Sequence, residues 1–371
     1  MRVLHVLGAV RPSGAEVMLK VAAPHFRRQG VDADIVSIGE TPGEYAEALR
    51  SSGYAIHHVP FGKTPAFFRR LFSFLRRGRY DVVHIHTERA RFHMVLAALL
   101  ATSAQVVCTV HALFPFEGGL RWRRSVQRRT LSRLGVPFVS VSRSVRRNEK
   151  DRFGISSHLV SNWYDADSHV PASAEARIDA RRSLGLPEDR FIVLSVGNCS
   201  EWKNHGALIE SLAVLGKEVP FLYLHAGVEE PGSPERALAA ERGIGDRVRF
   251  LGFADNVPEL LHAADVFVMS SLQEGCSIAA LEAMGAGVPV ILTDVPGLND
   301  LRDVSADIVW TKGSAPELAE ALRFLAGKDL PERTEIGRRL HRSVRVRYGI
   351  EQGVEAYMRI YRREERLGAG F

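Results

Sequence analysis

Cysteine is nearly missing from this chain: three in 371 residues, Cys108, Cys199 and Cys276. They stand far apart and follow no metal-ligand spacing, so they read as reduced thiols in a cytoplasmic protein rather than as disulfide or zinc partners. Long apolar runs are missing too; nothing approaches the ~20 residues that cross a bilayer as a helix. The opening segment Met1–Gly8 is too short and too interrupted by polar residues for a signal peptide, and reads as a first buried strand. There is no low-complexity tract and no repeat beyond a strand–helix alternation. What remains is an ordinary globular composition, 46% hydrophobic and 25% charged, in a chain longer than one hydrophobic core usually supports. Two α/β domains are the expectation. Charge agrees with a division: residues 1–177 carry 26 Lys/Arg against 14 Asp/Glu, and residues 178–371 carry 23 against 29.

Short apolar runs alternate with helix-period segments in both halves, the pattern of parallel sheets wrapped by helices. The first half predicts strands from Val3–Gly8 to His158–Val160. The second restarts at Phe191–Val196 and continues through Val288–Leu292 and Asp307–Val309 to a long C-terminal helical pair. The stretch Ser161–Ala176, with Pro171 and no periodicity, is the expected linker. Ligands of doubly wound sheets bind outside the carboxyl ends of the strands, so the loops there hold the candidate chemistry.

The segment Ser270–Ile291 is the most informative. A strand ending near Met269 runs into a polar loop and then a helix for which Ser277 is a plausible N-cap. Amides of Gly275, Cys276 and Ser277 and the first helical turn make an anion site there. Glu274 precedes the helix and Glu282 lies on it, eight positions later. Carboxylates beside an anion site need another task. Accepting hydrogen bonds from vicinal hydroxyls is one, and a sugar nucleotide offers two such sets; the alternative is solvated surface charge.

Three further segments add to it. Pro12–Glu16 opens a helix after the first strand, and Gly14 lets the backbone approach a phosphate. Gly197–Asn204 follows the first strand of the second half. Lys203 there meets the positive end of a helix dipole, a conflict worth a few tenths to ~1 kcal/mol that a bound diphosphate removes. His111 ends the strand Gln105–Val110, where a lone histidine is usually structural. His84 and His86 share one face of a strand and offer two metal ligands; with no third ligand evident, the structural reading is preferred.

The Glu274-to-Glu282 segment resembles the Glu-(seven residues)-Glu signature of glycosyltransferase family 4, retaining enzymes of the GT-B fold. The resemblance runs over nearly the whole chain: the opening strand, Ser13-Gly14-Ala15-Glu16, Asp81–His86, Thr109–His111, Ser140–Ser142, Ser161-Asn162 and Asp265–Val268 fall in the family's order. It implies that Glu274 contacts the donor sugar, that Glu282 holds the ribose and that His111 touches the sugar near the reacting centre. Two departures stand out. Ser13 replaces a usual Gly, and Asn198 stands where the family has an Arg, which leaves the second phosphate cation open; Arg11 is a candidate.

The resemblance gives two Rossmann-like domains facing a central cleft. Residues 1–165 form the acceptor domain, 176–348 the donor-binding domain, and 349–371 a C-terminal helix around Ile350–Glu365 that crosses back to the first. The expected activity is transfer of a hexosyl unit from a nucleoside diphosphate sugar, a UDP-sugar among the candidates, to an acceptor hydroxyl of a glycan, lipid-linked or small-molecule acceptor. Configuration is retained by front-face displacement. Lys203 and the amides at Gly14 and Gly275–Ser277 stabilise the leaving group. No cofactor or catalytic metal is expected. The rivals are a sugar-nucleotide 2-epimerase, a phosphorylase, for which no pyridoxal phosphate lysine signature is evident, and a catalytically silent sugar-nucleotide-binding subunit. Two basic–aromatic segments, Ala66–Arg79 and Leu120–Arg133, contain no acid. Arg69, Arg70, Arg76, Arg77, Arg121, Arg123 and Arg124 are candidates for peripheral contact with an anionic inner membrane face, against ordinary solvated faces. No nucleic-acid motif accompanies them.

Overall fold

The computed structural model describes residues 1–364. The chain divides into two compact units, one of residues 1–163 together with the C-terminal segment from Ile350, the other Tyr164–Gly349.

Unit 1 alternates strand and helix: β1 (Arg2–Leu7), α1 (Gly14–Arg28), β2 (Asp32–Ser37), α2 (Ala46–Ser51), β3 (Ala55–His58), α3 (Pro65–Gly78), β4 (Val82–Ile85), α4 (Arg91–Ala101), β5 (Gln105–Val110), α5 (Gly118–Arg133), β6 (Phe138–Ser140), α6 (Arg143–Phe153) and β7 (His158–Leu159). Unit 2 continues with α7 (Ala174–Ser183), β8 (Phe191–Val196), α8 (His205–Leu215), β9 (Phe221–Ala226), α9 (Pro234–Glu241), β10 (Val248–Phe250), α10 (Val257–Ala263), β11 (Val266–Met269), α11 (Ile278–Gly285), β12 (Val290–Thr293), β13 (Val309–Thr311), α12 (Ala315–Ala326) and α13 (Leu330–Arg347). Helix α14 (Ile350–Tyr361) belongs to unit 1 and packs on α1. Its expected end at Glu365 lies outside the described residues.

The sheets have one plan. Unit 1 orders its strands β3-β2-β1-β4-β5-β6-β7 and unit 2 orders them β10-β9-β8-β11-β12-β13, with parallel pairing throughout, as in β1 on β4 and β8 on β9. Strand order therefore reverses between β1 and β4 and between β8 and β11, the switch points outside which doubly wound sheets open a ligand crevice. The strands are apolar runs because helices cover both faces; β8 and β9 are buried along nearly their whole length.

The structure corrects the sequence reading in three places. Residues 164–175 are not a free linker: Tyr164 is 1% exposed and sits in the unit 2 core, and its ring lies where a side chain on Gly285 would have to go. Helix α7 went unanticipated because its apolar residues are three alanines and one isoleucine among six polar ones, too weak a stripe to mark a helix. Its arginines are the reason it docks: Arg177 and Arg181 reach the buried Asp265 at 2.8 and 2.7 Å, Arg333 of α13 joins at 3.1 Å, and the amide of Ile192 donates to the same carboxylate. The last strand is Val309–Thr311 rather than Asp307–Val309, because Asp307 is held outside the sheet by a two-pronged pair with Arg339 and a bond from Ser305.

Candidate active site

In unit 2 the loops after β8 and β11, on either side of the switch point, are bonded to each other. The hydroxyl of Ser270 donates to the carbonyls of Lys203 and Asn204 at 2.9 and 3.2 Å, and the amide of Leu272 donates to Trp202 at 2.8 Å. Asn204 takes a left-handed backbone, φ 53°, and its amide group anchors to the carbonyl of Gly313; Asn tolerates that region better than most residues. So held, Lys203 donates from Nζ to Oε1 of Glu274 at 2.6 Å, and Ser271 donates to the same oxygen at 2.7 Å. The Glu274 loop has a second support. Gly297, at φ 90°, passes so close to the Glu274 carbonyl that no side chain fits there.

Helix α11 begins after this loop. Ser277 caps it, accepting from the amide of Ala280 at 3.3 Å. Gly275 and Ser277 are buried and Cys276 is partly so. Glu282 points inward: its side chain is 12% exposed, 3.9 Å from Nε2 of His169, and burial raises its pKa. Asn198 is exposed, and its side-chain carbonyl is already used, accepting from the amide of Val228 at 2.9 Å.

In unit 1, Gly14 is the first residue of α1 and, like Arg11, is exposed. Ser13 donates to the carboxylate of Glu16 in the first helical turn. Glu16 is 5% exposed, and burial pushes its pKa up to about 7 despite that bond.

His111 ends a buried chain of histidines. Its Nε2 is 2.9 Å from Nδ1 of His86, whose Nε2 is 3.0 Å from Nδ1 of His5. His84, paired with His5 in the sheet register, lies beside them, bonded to Tyr361 and Thr109. Burial holds all four neutral; His5 and His111 fall to about 3. One direction of the chain is favoured. Nε2 of His5 has no partner, and an orphaned buried N–H is rarer than an orphaned acceptor. His5 therefore donates to His86 and His86 to His111, which leaves His111 with its proton on Nδ1. A neutral His111 with an Nδ1–H is a hydrogen-bond donor, not an acid, at ordinary pH.

The sequence reading found His84 and His86 without a third metal ligand; the structure supplies one, His5. The nitrogens of His84 and His86 are all engaged with other side chains, so the structural role stands. A second cluster, Cys199, His205 and His225, was not legible, because its members come from the β8 loop, α8 and β9. Burial pushes the Cys199 thiol up to about 12 and depresses His205 to about 3 and His225 to about 4.

The basic segments divide. On α3, Arg69, Arg70, Arg76 and Arg77 are exposed over the buried Phe67, Leu71 and Leu75. On α5, Arg121 and Arg123 are exposed, with Trp122 71% exposed between them. Arg124 is a correction: its side chain is 14% exposed, 3.8 Å from Glu88 and stacked over Phe116. Arg128 is likewise buried, between Glu88 and Glu149. The acids missing from the α5 sequence are supplied by the loop after β4 and by α6.

Comparison with known proteins fits this architecture. Residues 12–168 match the family described as Glycosyltransferase Family 4, and residues 176–339 match Glycosyl transferases group 1. The chain is 27% identical over 375 residues, 97% of its length and 96% of the relative's, to EpsF of Bacillus subtilis (strain 168), whose glycosyltransferase name is itself inferred. It is 27% identical over 244 residues, 62% of each chain, to an Escherichia coli UDP-Gal:alpha-D-GlcNAc-diphosphoundecaprenol alpha-1,3-galactosyltransferase. Anabaena Alr3699/HepE, solved with UDP and glucose, superposes with a TM-score of 0.82 at 19% identity, covering 98% of this chain and 100% of that one. Two Rossmann-like units with these matches define a glycosyltransferase of the GT-B fold. Within that class, the first half of the chain matches glycosyltransferase family 4 and the second half matches glycosyl transferases group 1, so the chain as a whole is similar to family 4.

Proposed function

We propose that this glycosyltransferase moves a hexosyl unit from a uridine diphosphate sugar to an acceptor hydroxyl with retention, without a catalytic metal. Unit 2 binds the donor and unit 1 the acceptor. The observation that carries the reading is the Lys203–Glu274 pair, 2.6 Å long, between two mutually bonded loops beside the switch point of unit 2. A diphosphate competes for the cation of that pair, and sugar hydroxyls compete for its carboxylate. Donor binding thus replaces one ion pair by two sets of charge-assisted hydrogen bonds, with no charge left unpaired. Glu282 accepts from the ribose. Lys203 and the amides of Gly14, Gly275, Cys276 and Ser277 take up charge as the diphosphate leaves. His111 donates its Nδ1–H to the sugar, and Arg11 or Asn198 completes the phosphate contacts. Glu274, engaged by the sugar hydroxyls once the donor binds, is poorly placed as a nucleophile for double displacement, so the acceptor attacks from the face the diphosphate leaves and the leaving phosphate takes its proton. The uridine and hexose are supported by the donor in the name of the Escherichia coli relative and the ligands of the Anabaena structure.

That relative's acceptor is lipid-linked, and the exposed arginines of α3 with Arg121, Trp122 and Arg123 of α5 suit an anionic cytoplasmic membrane surface. Among the described residues no helix is long and apolar enough to cross a membrane. The test incubates the purified chain with a panel of nucleoside diphosphate sugars, chelator present or absent. It reads diphosphate release, then the anomeric configuration of any product by proton NMR. Release from one UDP-hexose and an α-linked product from an α-linked donor are expected. Inversion, epimerised donor without transfer, or a requirement for added magnesium or manganese would each overturn the reading.

A further inference from the structure

The cluster behind the β8 loop has the composition and the unmet bonding of a metal site. Cys199 is 6% exposed, His205 4%, His225 not at all and Glu235 8%. The donor atoms of Cys199, His205 and His225 all lie within 4.8 Å of one another. One of these side chains lacks partners: neither ring nitrogen of His205 is hydrogen bonded, and nearby in α9 Oε2 of Glu235 also has none. A buried polar group left unsatisfied costs about 1–3 kcal/mol, and such groups seldom persist in a native interior without an ion or water to complete them.

His225 is arranged as a ligand. Its Nδ1 faces the hydroxyls of Ser195 at 3.0 Å and Tyr223 at 3.4 Å, which are bonded to each other at 2.6 Å. That fixes the ring so that Nε2 points at Sγ of Cys199, 3.3 Å away. A hydroxyl or carbonyl on the far nitrogen is the usual support of a metal-bound imidazole. The separation is close to the sulfur–nitrogen edge of a tetrahedral zinc site, about 3.5 Å from Zn–S and Zn–N bonds of ordinary length. The rings of His205 and His225 meet edge to face at 4.5 Å.

We infer that Cys199, His205 and His225 bind one divalent zinc-class ion that fastens the Gly197–Lys203 loop to α8 and β9. One thiolate and two imidazoles suit zinc, and all three ligands are buried, which keeps the fourth position from substrate. The ion is structural: it holds the loop that presents Lys203 and takes no part in transfer. Sequence spacing hides it because the three ligands come from three segments.

The experiment uses the full chain purified without chelator. Elemental analysis by mass spectrometry is expected to find about one zinc per chain. After stripping, cobalt(II) should restore a thiolate-to-metal charge-transfer band with the visible bands of a tetrahedral site. Cys199→Ser should abolish the charge-transfer band, and His205→Ala should weaken zinc affinity at least tenfold. Circular dichroism confirms that these variants are folded. Zinc should raise the melting temperature of the stripped wild-type chain and leave that of His205→Ala unmoved. Three results would overturn the inference: no metal on purification together with no cobalt spectrum, a cobalt site that keeps its thiolate band in Cys199→Ser, or equal zinc affinity in wild type and His205→Ala. Any of them would leave the cluster a packed polar core completed by water.

Discussion

The two units share one strand order and place different chemistry at the carboxyl ends of their sheets. Unit 2 gathers charge there: a lysine, two glutamates and the amide end of α11, with Lys203 and Glu274 paired. Unit 1 gathers neutral rings, the chain from His5 through His86 to His111. One frame thus builds an anion-accepting surface and a neutral hydrogen-bonding surface. The difference lies in which residues stand on β1 and β4 as opposed to the loops after β8 and β11. A diphosphate needs the first kind of surface; an uncharged sugar or acceptor needs only the second.

Acid should expose the contrast most strongly. His5, His84, His86 and His111 in unit 1, and His205 and His225 in unit 2, have folded pKa values below the unfolded value of ~6.5. Between the two values the unfolded chain binds more protons. Stability from these groups is therefore complete above ~6.5 and is lost as pH falls toward the folded values. Each contributes roughly 1.4 kcal/mol per pH unit in that window. Raised carboxyls oppose this: Glu16 and Glu149 in unit 1 and Glu282 in unit 2 gain from acid. His93 of unit 1 is lowered as well, and five histidines against two leave unit 1 the weaker. Hydrogen exchange of the metal-stripped chain, read by mass spectrometry from pH 7 to 4, should show unit 1 peptides losing protection first. Loss in unit 2 first, or in both together, would mean the histidine chain is not what distinguishes them.

In unit 2, Lys203→Ala should weaken UDP binding by ~10- to 150-fold, the worth of a charge-assisted contact of about 1.5–3 kcal/mol. Glu274→Ala removes the competitor for that cation, so UDP affinity should hold or rise while turnover falls at least ~10-fold. Calorimetry finding weaker UDP binding in Glu274→Ala would assign the two residues the wrong way round.

In unit 1, His111→Ala should lower turnover ~10-fold with UDP affinity unchanged. His86→Ala should do nearly as much, because it removes the donor that keeps the proton on Nδ1 of His111. If His86 acts through His111, the double variant is no worse than His111→Ala alone. Additive losses would make His86 an independent contributor.

Strands, helices and the Glu274–Glu282 spacing were legible because periodicity and capping are local, as with Ser277 and α11. The links between strands were not. His5 and His86 are 81 residues apart and meet because β1 pairs with β4 at the switch point. Cys199 and His225 meet because β8 pairs with β9. The α5 arginines looked like one basic face until Glu88 and Glu149, from other elements, were found beneath Arg124 and Arg128. Local pattern gives the elements; register decides which side chains share an environment.

The smallest effect is expected at Asn198. Its carbonyl oxygen holds the amide of Val228, so Asn198→Arg gives up that bond while adding a cation beside the diphosphate loop. Both are exposed, water replaces the lost acceptor, and surface charge is screened over ~8 Å at physiological salt. A gain of a few-fold in UDP affinity is expected, with the melting temperature nearly unchanged and the gain shrinking as salt rises. Repeating the substitution with Arg11→Ala asks whether unit 1 already supplies the second cation. Tightening only when Arg11 is absent would show that Arg11 reaches the same phosphate. Equal tightening in both backgrounds would make the two positions independent. No tightening in either would mean that position 198 serves only to tie the β8 loop to the end of β9, and that the anion surface of unit 2 rests on Lys203 and the α11 amides.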